Sequence, residues 1–102
     1  MGEAVGLLEV YGLAAAFAAG DAACKAANVS IEAFDRNKPA KAETLPVPLI
    51  ILVKIRGSVS DVEAGLAAGE RAAAAVSGVV ARHVIANPAG DTERMLAIDA
   101  LS

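Results

Sequence analysis

The pattern of apolar and polar positions divides the chain into alternating strands and helices. Apolar residues recur every second position, or in short runs, in four predicted strands: residues 3–11, 29–35, 48–56 and 79–86. Small and apolar residues recur at helical spacing over residues 13–27 and between Ser58 and Gly78, and a short closing helix follows Asp91. The order β-α-β-β-α-β predicts an α+β, ferredoxin-like antiparallel sheet with both long helices on one face. At this length we expect one domain over residues 1–102.

The helices have predicted ends and predicted buried sides. Ser58 is a good N-cap with Asp61 in the capping-box position, and Asp91 is expected to cap the closing helix. The buried side of the first helix is predicted as Leu13, Ala16, Phe17, Gly20, Cys24 and Ala27, which leaves Ala14, Ala15, Ala18, Ala22 and Ala26 outside. The buried side of the second is predicted as Val59, Val62, Leu66, Gly69, Ala73 and Val76. Cys24 is therefore expected to be a small buried thiol.

The third strand and the first helix are too apolar for elements that expose one face to solvent. Ile51, Val53 and Ile55 can face the helices, but Ile50 and Leu52 point to the opposite face of the sheet. A helix that is apolar nearly all round is normally buried. We expect other copies of the chain to cover these surfaces. The alternative is that a long loop or the closing helix covers them within the chain.

Composition and charge exclude several classes of protein. The chain has 102 residues, of which 56% are hydrophobic, with alanine the most common type, and its mean hydropathy is +0.53. A formal net charge of -3 and the lack of clustered basic and aromatic residues disfavour nucleic-acid binding. No apolar run approaches the roughly 20 residues of a membrane-spanning helix. We therefore expect a cytoplasmic protein that binds neither nucleic acid nor membrane.

Catalytic chemistry finds little support in the sequence. His83 is the single histidine, and a packed or interface role suits it better than that of a catalytic base. A solvent-exposed helix face explains the carboxylates of Asp61, Glu63 and Glu70 better than acid–base catalysis does. One histidine and one cysteine cannot form a structural zinc site. We expect no catalytic residues, no metal and no cofactor, and hence no enzyme.

Four stretches together resemble a known family. They are "GLLEVYGLAAA", "DAACKAANV", "RGSVSDVEAGLAAG" and "HVIANP", within similarity that spans about residues 3–35 and 50–97. The chain is similar to the BMC domain of bacterial microcompartment shell proteins. Single-domain members form flat cyclic hexamers that tile into the shell around enclosed enzymes. The resemblance implies a structural shell protein with a central pore for small metabolites. Its implied partners are identical copies in a homo-hexamer, neighbouring hexamers, other shell proteins and the enclosed enzymes.

The resemblance also implies contacts between hexamers. Lys25 matches the family's lysine at the hexamer edge, which packs against the copy in the next hexamer, and Asn28 matches the asparagine that accompanies it. Asn87 occupies a position where the family often has arginine. Because asparagine is shorter and has fewer donors, this departure implies a different or weaker contact at that position.

The segment after the second strand is the larger departure. Family members commonly have a short turn that lines the pore here, whereas this chain has an extended loop over residues 36–49. The residues expected to line the pore are Arg36, Asn37, Lys38, Pro39, Ala40, Lys41 and Glu43. Lys38 and Lys41 repeated around a ring would favour anions, and Glu43 would partly offset them. The alternative is a solvated loop that points away from the axis.

A regulatory module of similar topology is the rival interpretation. A trimeric, PII-like small-molecule-binding protein also has a long loop after its second strand. Such a protein needs basic residues converging on a nucleotide between subunits, and this chain has few basic residues to supply them.

Overall fold

The computed structural model describes residues 3–37 and 49–99. They form seven elements: β1 (Ala4–Tyr11), α1 (Leu13–Ala26), β2 (Ser30–Asn37), β3 (Ile50–Gly57), α2 (Val59–Val76), β4 (Val79–Ile85) and α3 (Gly90–Leu96). The strands form one sheet in the order β2-β3-β1-β4, and every neighbouring pair is antiparallel. This arrangement confirms the predicted ferredoxin-like α+β fold.

Both long helices pack on the first face of the sheet. That face contributes Leu8 and Val10 of β1 and Ile51, Val53 and Ile55 of β3 to the main hydrophobic core. The helices approach each other closely because their contact positions are small. A Cβ on Gly69 of α2 would lie only 3.1 Å from the carbonyl oxygen of Ala19 on α1. Glycine at this position therefore sets the spacing of the helix layer.

The predicted buried side of α1 is largely wrong. Its buried residues are the small ones: Ala15, Ala16, Ala19, Gly20 and Ala23. Leu13 and Phe17 are 41% and 56% exposed, and Cys24 is exposed rather than buried. The prediction placed the largest apolar side chains inside. The narrow gap between α1 and α2 admits only small side chains, so the helix is turned to bury alanine and glycine.

The buried side of α2 was predicted more accurately. Four predicted residues are buried: Val62, Leu66, Gly69 and Ala73. The exceptions are Val59 and Val76, which are 42% and 53% exposed. They occupy the first and last positions of the helix.

The predicted cap of α2 is confirmed and that of α3 is wrong. Ser58 Oγ accepts a hydrogen bond from the backbone nitrogen of Asp61 at 3.2 Å and donates to Asp61 Oδ2 at 2.9 Å. The helix α3 instead begins at Gly90, two residues earlier than a cap at Asp91 requires. Asp91 therefore lies in the first turn, where its carboxylate pairs with Arg94.

The closing helix α3 covers the part of β3 that faces away from α1 and α2. Lys54 and Arg56 are 2% and 8% exposed there. Lys54 Nζ donates to the carbonyl oxygens of Ile98 at 2.7 Å and Leu96 at 3.3 Å, at the end of α3. The closing helix therefore covers Lys54 and Arg56, whereas coverage of Ile50, Leu52 and the first helix by other copies stays a prediction.

Arg56 makes the second attachment between β3 and α3. Its guanidinium donates to both carboxylate oxygens of Glu93, at 2.9 and 2.8 Å, and to the carbonyl oxygen of Glu3 at 3.1 Å. Hydrogen bonding with Arg56 lowers the pKa of Glu93, and the same contact raises the pKa of Arg56. A planar guanidinium suits this two-bond contact with a carboxylate.

Candidate assembly surfaces

Lys25 is exposed near the end of α1. Its ammonium lies 2.8 Å from Asp21 Oδ2, one helical turn earlier, and its side chain is 76% exposed. The hydrogen bond with Asp21 raises the pKa of Lys25. Lys25 is therefore a fully charged, solvent-facing group at the end of the helix.

Asn28 and Asn87 lie beside the same end of the sheet. The backbone nitrogen of Asn28 donates to Asp61 Oδ1 at 3.4 Å, and its carbonyl oxygen would lie 3.0 Å from a Cβ on Gly57. Asn87 is exposed and lines a cavity of about 450 Å³ with Gly57 and Ser58. Asn28 and Asn87 thus lie where β3 ends and α2 begins, and Lys25 lies three residues before Asn28, near the end of α1.

The candidate pore segment leaves from the other end of β3. Asn37 pairs with Ile50 at the open end of the β2–β3 pair, and Arg36 is exposed opposite Ile51. The backbone nitrogen of Gly12 donates to the carbonyl oxygen of Leu49 at 2.9 Å, which fixes the start of β3 beside α1. The other predicted pore residues, Lys38, Pro39, Ala40, Lys41 and Glu43, lie outside the described residues.

The two candidate assembly regions are therefore at opposite ends of one strand. The strand β3 runs from Ile50 beside the candidate pore segment to Gly57 beside the candidate edge residues. At about 3.3 Å per residue, its ends are about 23 Å apart. The sequence predicted the two regions separately, and the fold places them at the two ends of the same strand.

The two sides of the sheet expose apolar residues that sequence reasoning missed. We define the β2 flank as Leu13 and Phe17 of α1 with Ile31, Glu32 and Asp35 of β2. We define the β4 flank as Val76 of α2 with Val80, Arg82 and His83 of β4. The side chain of Phe17 packs edge-on against Phe34, with ring centroids 5.2 Å apart, yet Phe17 remains 56% exposed.

The apolar members of both flanks have substantial exposure. On the β2 flank, Leu13 is 41% and Ile31 is 39% exposed, and on the β4 flank Val76 is 53% and Val80 is 42% exposed. The signal that could have found Leu13 and Phe17 is size, because they are the largest apolar side chains on a helix made mainly of alanine and glycine.

His83 is exposed in the described chain and is not a packed core residue. It lines a cavity of about 300 Å³ between α2 and β4 together with Glu63 and Arg82. Within residues 3–37 and 49–99, no three His, Cys, Asp or Glu side chains are grouped so as to hold a metal ion. In the same part of the chain, no helix is long and apolar enough to span a bilayer. The interface role of His83 stays a prediction.

Comparisons with known proteins show similarity to shell proteins of bacterial microcompartments and carboxysomes. The model of the BMC domain family matches residues 4–88. The shell protein PduA of Salmonella typhimurium is 37% identical over 94 residues, which cover 92% of this chain and 90% of that protein. The carboxysome shell protein CcmK2 of Thermosynechococcus vestitus is 35% identical over 97 residues, which cover 93% of this chain and 86% of that protein.

A solved structure is similar over the whole chain. It is a microcompartments protein from Desulfitobacterium hafniense DCB, with a TM-score of 0.71 and 28% identity. The match covers 100% of this chain and 51% of that one, so the present chain spans about half its length. These similarities favour a shell protein over the PII-like alternative. From the match over residues 4–88 and relatives above 30% identity across nearly its full length, the chain belongs to the BMC domain family.

Proposed function

We propose that this chain is a structural tile of a bacterial microcompartment shell in the cytoplasm, built as a cyclic homo-hexamer around a central pore. The role is mechanical and selective rather than enzymatic, in keeping with the shell proteins that it resembles. The observation that carries the proposal is the position of the candidate pore segment and the candidate edge residues at opposite ends of β3.

In a ring of copies, the two ends of β3 lie at different distances from the central axis. With β3 directed outward from the axis, the β2–β3 segment of each copy lies at the centre, and Lys25, Asn28 and Asn87 lie at the rim. The β2 flank and the β4 flank then face neighbouring copies in the ring. Repeated contact between two unlike surfaces closes into a ring when the rotation between copies fits. Exposed apolar residues on both flanks supply surface for that contact.

The pore is the selective part of the tile. Arg36 is exposed at the end of β2 where the segment begins, and Lys38 and Lys41 follow it in the sequence. Repeated around an axis, these cations favour small anionic metabolites, and Glu43 reduces the preference. Rings of charged side chains at close quarters determine which ions enter a pore.

The rim is the surface for neighbouring hexamers and other shell proteins. Lys25 presents an exposed ammonium, and Asn28 and Asn87 present amides close to the start of α2. Because the side chain of Asn87 is short, a neighbouring shell protein whose side chain supplies a longer hydrogen-bond donor would fit this rim. The enzymes enclosed by the shell are the remaining class of partner.

Light scattering of the purified protein tests the tile directly. The expected result is a particle of about six chains, with ordered sheets visible by electron microscopy at high concentration. A folded monomer at all concentrations would refute the proposal. For the pore, Lys38→Ala and Lys41→Ala should reduce the passage of small anions through assembled shells. Unchanged passage would remove the pore assignment and leave the tile.

A further inference from the structure

The closing helix α3 is attached mainly by polar contacts. Among the described residues of α3, Leu96 alone is buried. Arg56 donates to both carboxylate oxygens of Glu93. Lys54 donates to the carbonyl oxygens of Leu96 and Ile98. We call the surface formed by Lys54 and Arg56 the α3 seat. A helix of seven residues is marginal by itself in water, so α3 depends on this seat to form.

The α3 seat requires hydrogen-bond acceptors from its occupant. The side chains of Lys54 and Arg56 are only 3% and 9% exposed. Their other acidic contacts are long, with Lys54 Nζ 3.5 Å from Asp35 Oδ2 and Arg56 Nη1 4.0 Å from Glu32 Oε1. Covered cations are stable only when the covering group supplies acceptors. The seat therefore suits a helix that brings a carboxylate to Arg56 and the unbonded carbonyl oxygens of its last turn to Lys54.

Every copy of the chain carries a helix of this kind. Glu93 supplies the carboxylate, and Leu96 supplies the buried apolar side chain three residues later. The helix follows β4 after the connection 86–89, and Ala89 provides no side-chain cap that would fix its start. Rotation about this connection would move α3 off the seat as a unit. Exchange of an identical element between copies keeps the same contacts, so its energetic cost is low.

We infer that the α3 seat is an exchangeable site whose second occupant is α3 of another copy of this chain. The two cations of the seat complement the Glu93 carboxylate and the carbonyl oxygens at the end of the helix. The chain's own α3 is the competitor, so the seat accepts the second copy's helix only when its own helix has left. The exchange does not require the ring proposed above, because every contact that it uses is present in a single chain.

Binding of a labelled peptide to the full-length protein tests the exchange. The peptide spans residues 88–99 with blocked ends, and its fluorescence anisotropy is followed as protein is added. The unmodified chain should bind it weakly, because the tethered α3 competes at a high effective concentration. Glu93→Gln in the chain weakens that competitor, so the peptide should bind this variant about tenfold more tightly.

Changes within the peptide show whether it binds as α3 does. Glu93→Gln in the peptide removes the charge that Arg56 binds, so its affinity for the same chain should fall about tenfold. Asp91→Asn in the peptide is the matched control, because it removes the same charge. Asp91 pairs with Arg94 of its own helix, so the affinity of this peptide should stay the same.

Mixing two full-length variants tests exchange between copies. Arg56→Glu and Glu93→Arg each place like charges between the seat and its own α3, so we expect fast amide hydrogen exchange over residues 90–96 in each variant alone. In a mixture, each helix finds the opposite charge in the seat of the other variant. Mixing should therefore restore slow hydrogen exchange over these residues, and the peptide masses distinguish the two chains.

The possible outcomes separate the exchange from a permanently closed helix. If the peptide does not bind the Glu93→Gln chain, or if its Glu93→Gln and Asp91→Asn forms bind equally well, the exchange is overturned. The same conclusion follows if both full-length variants are folded by circular dichroism and mixing leaves their hydrogen exchange fast. If Arg56→Glu does not fold, the peptide results decide alone. A protein that binds the peptide as expected but forms no ring would refute the proposed tile and support the exchange.

Discussion

Arg56 of β3 and Glu93 of α3 form a two-bond ion pair across the second face of the sheet, with N–O distances of 2.9 and 2.8 Å. The side chain of Arg56 is only 9% exposed, whereas that of Glu93 is 36% exposed. Together with Lys54, which donates to the carbonyl oxygens of Leu96 and Ile98, this pair attaches the closing helix. The attachment explains how two cations are tolerated inside a small domain.

Loss of the Glu93 charge should loosen α3. Glu93→Gln keeps the shape of the side chain but cannot accept two charge-assisted hydrogen bonds from Arg56. We expect faster amide hydrogen exchange over residues 90–96, with little change in α1 and α2. Asp91→Asn is the control, because Asp91 is exposed on the same helix and, among residues 3–37 and 49–99, its carboxylate pairs with Arg94 rather than Arg56. Equal exchange in both variants would contradict the role of the Arg56 pair.

The same pair should make stability depend on pH. The pKa of Glu93 is lower in the folded chain than its ordinary value, because Arg56 hydrogen-bonds to the charged form. This contribution to stability is present above the ordinary glutamate pKa and is lost as pH falls through the lowered one. Urea unfolding between about pH 6 and about pH 3 measures it. Glu93→Gln should show a weaker loss on acidification, and an identical pH profile in the two chains would refute the assignment.

Gly6→Ala should destabilise the fold. A Cβ at Gly6 of β1 would lie 2.7 Å from Val62 Cγ1 and 3.0 Å from Ile55 Cγ1, closer than the packed core can accept. Overpacking of this kind costs about 1–3 kcal/mol in the free energy of unfolding. Gly90→Ala is the matched control, since a Cβ there meets nothing within 4 Å. Urea unfolding midpoints that fall equally for both variants would contradict the packing argument.

Cys24 should react readily in the folded protein. The thiol is exposed on α1, contrary to the expectation from sequence. We expect one thiol per chain to react with a colorimetric disulfide reagent at a rate close to that in denaturant. A thiol that reacts only after unfolding would show that Cys24 is covered, either within the chain or in the assembly.

Lys25→Ala should separate ring formation from tiling. Lys25 is exposed at the candidate rim, away from both flanks, so its removal leaves the contacts proposed to close the ring. We expect particles of unchanged mass in light scattering but fewer ordered sheets by electron microscopy. Arg71→Ala serves as the control for the loss of one exposed cation. Normal sheets from the Lys25 variant would remove this residue from the proposed rim contact.

Periodicity predicted the elements better than it predicted their orientation. The predicted strand and helix bounds agree with the structure to within a few residues, because alternation and helical spacing are local properties. The Ser58 cap is likewise local and was predicted correctly. The orientation of α1 was not, because the width of the space beside α2 decides whether Phe17 or Ala19 is buried.

The candidate site was predictable in part. The sequence motifs around Lys25, Asn28 and Asn87 can be recognised from the sequence. The position of Asn28 and Asn87 at the end of β3 can be seen only in the folded structure. The exposed apolar residues of the flanks were assigned to the buried sides of helices or passed over. Their exposure depends on how α1 and α2 are turned and packed against the sheet, which periodicity does not record.

The sequence by itself determined the order of strands and helices, the fold class and the family resemblance, since these follow from residue spacing along the chain. Only the tertiary structure decided what covers the second face of β3. Lys54 and Arg56 look like solvent-facing residues in the alternating pattern of a strand. They are buried because the carbonyl oxygens at the end of α3 and the carboxylate of Glu93, about 40 residues further along the chain, supply their hydrogen bonds. Pairing over that distance depends on how the chain folds back on itself, so strand periodicity carries no sign of it.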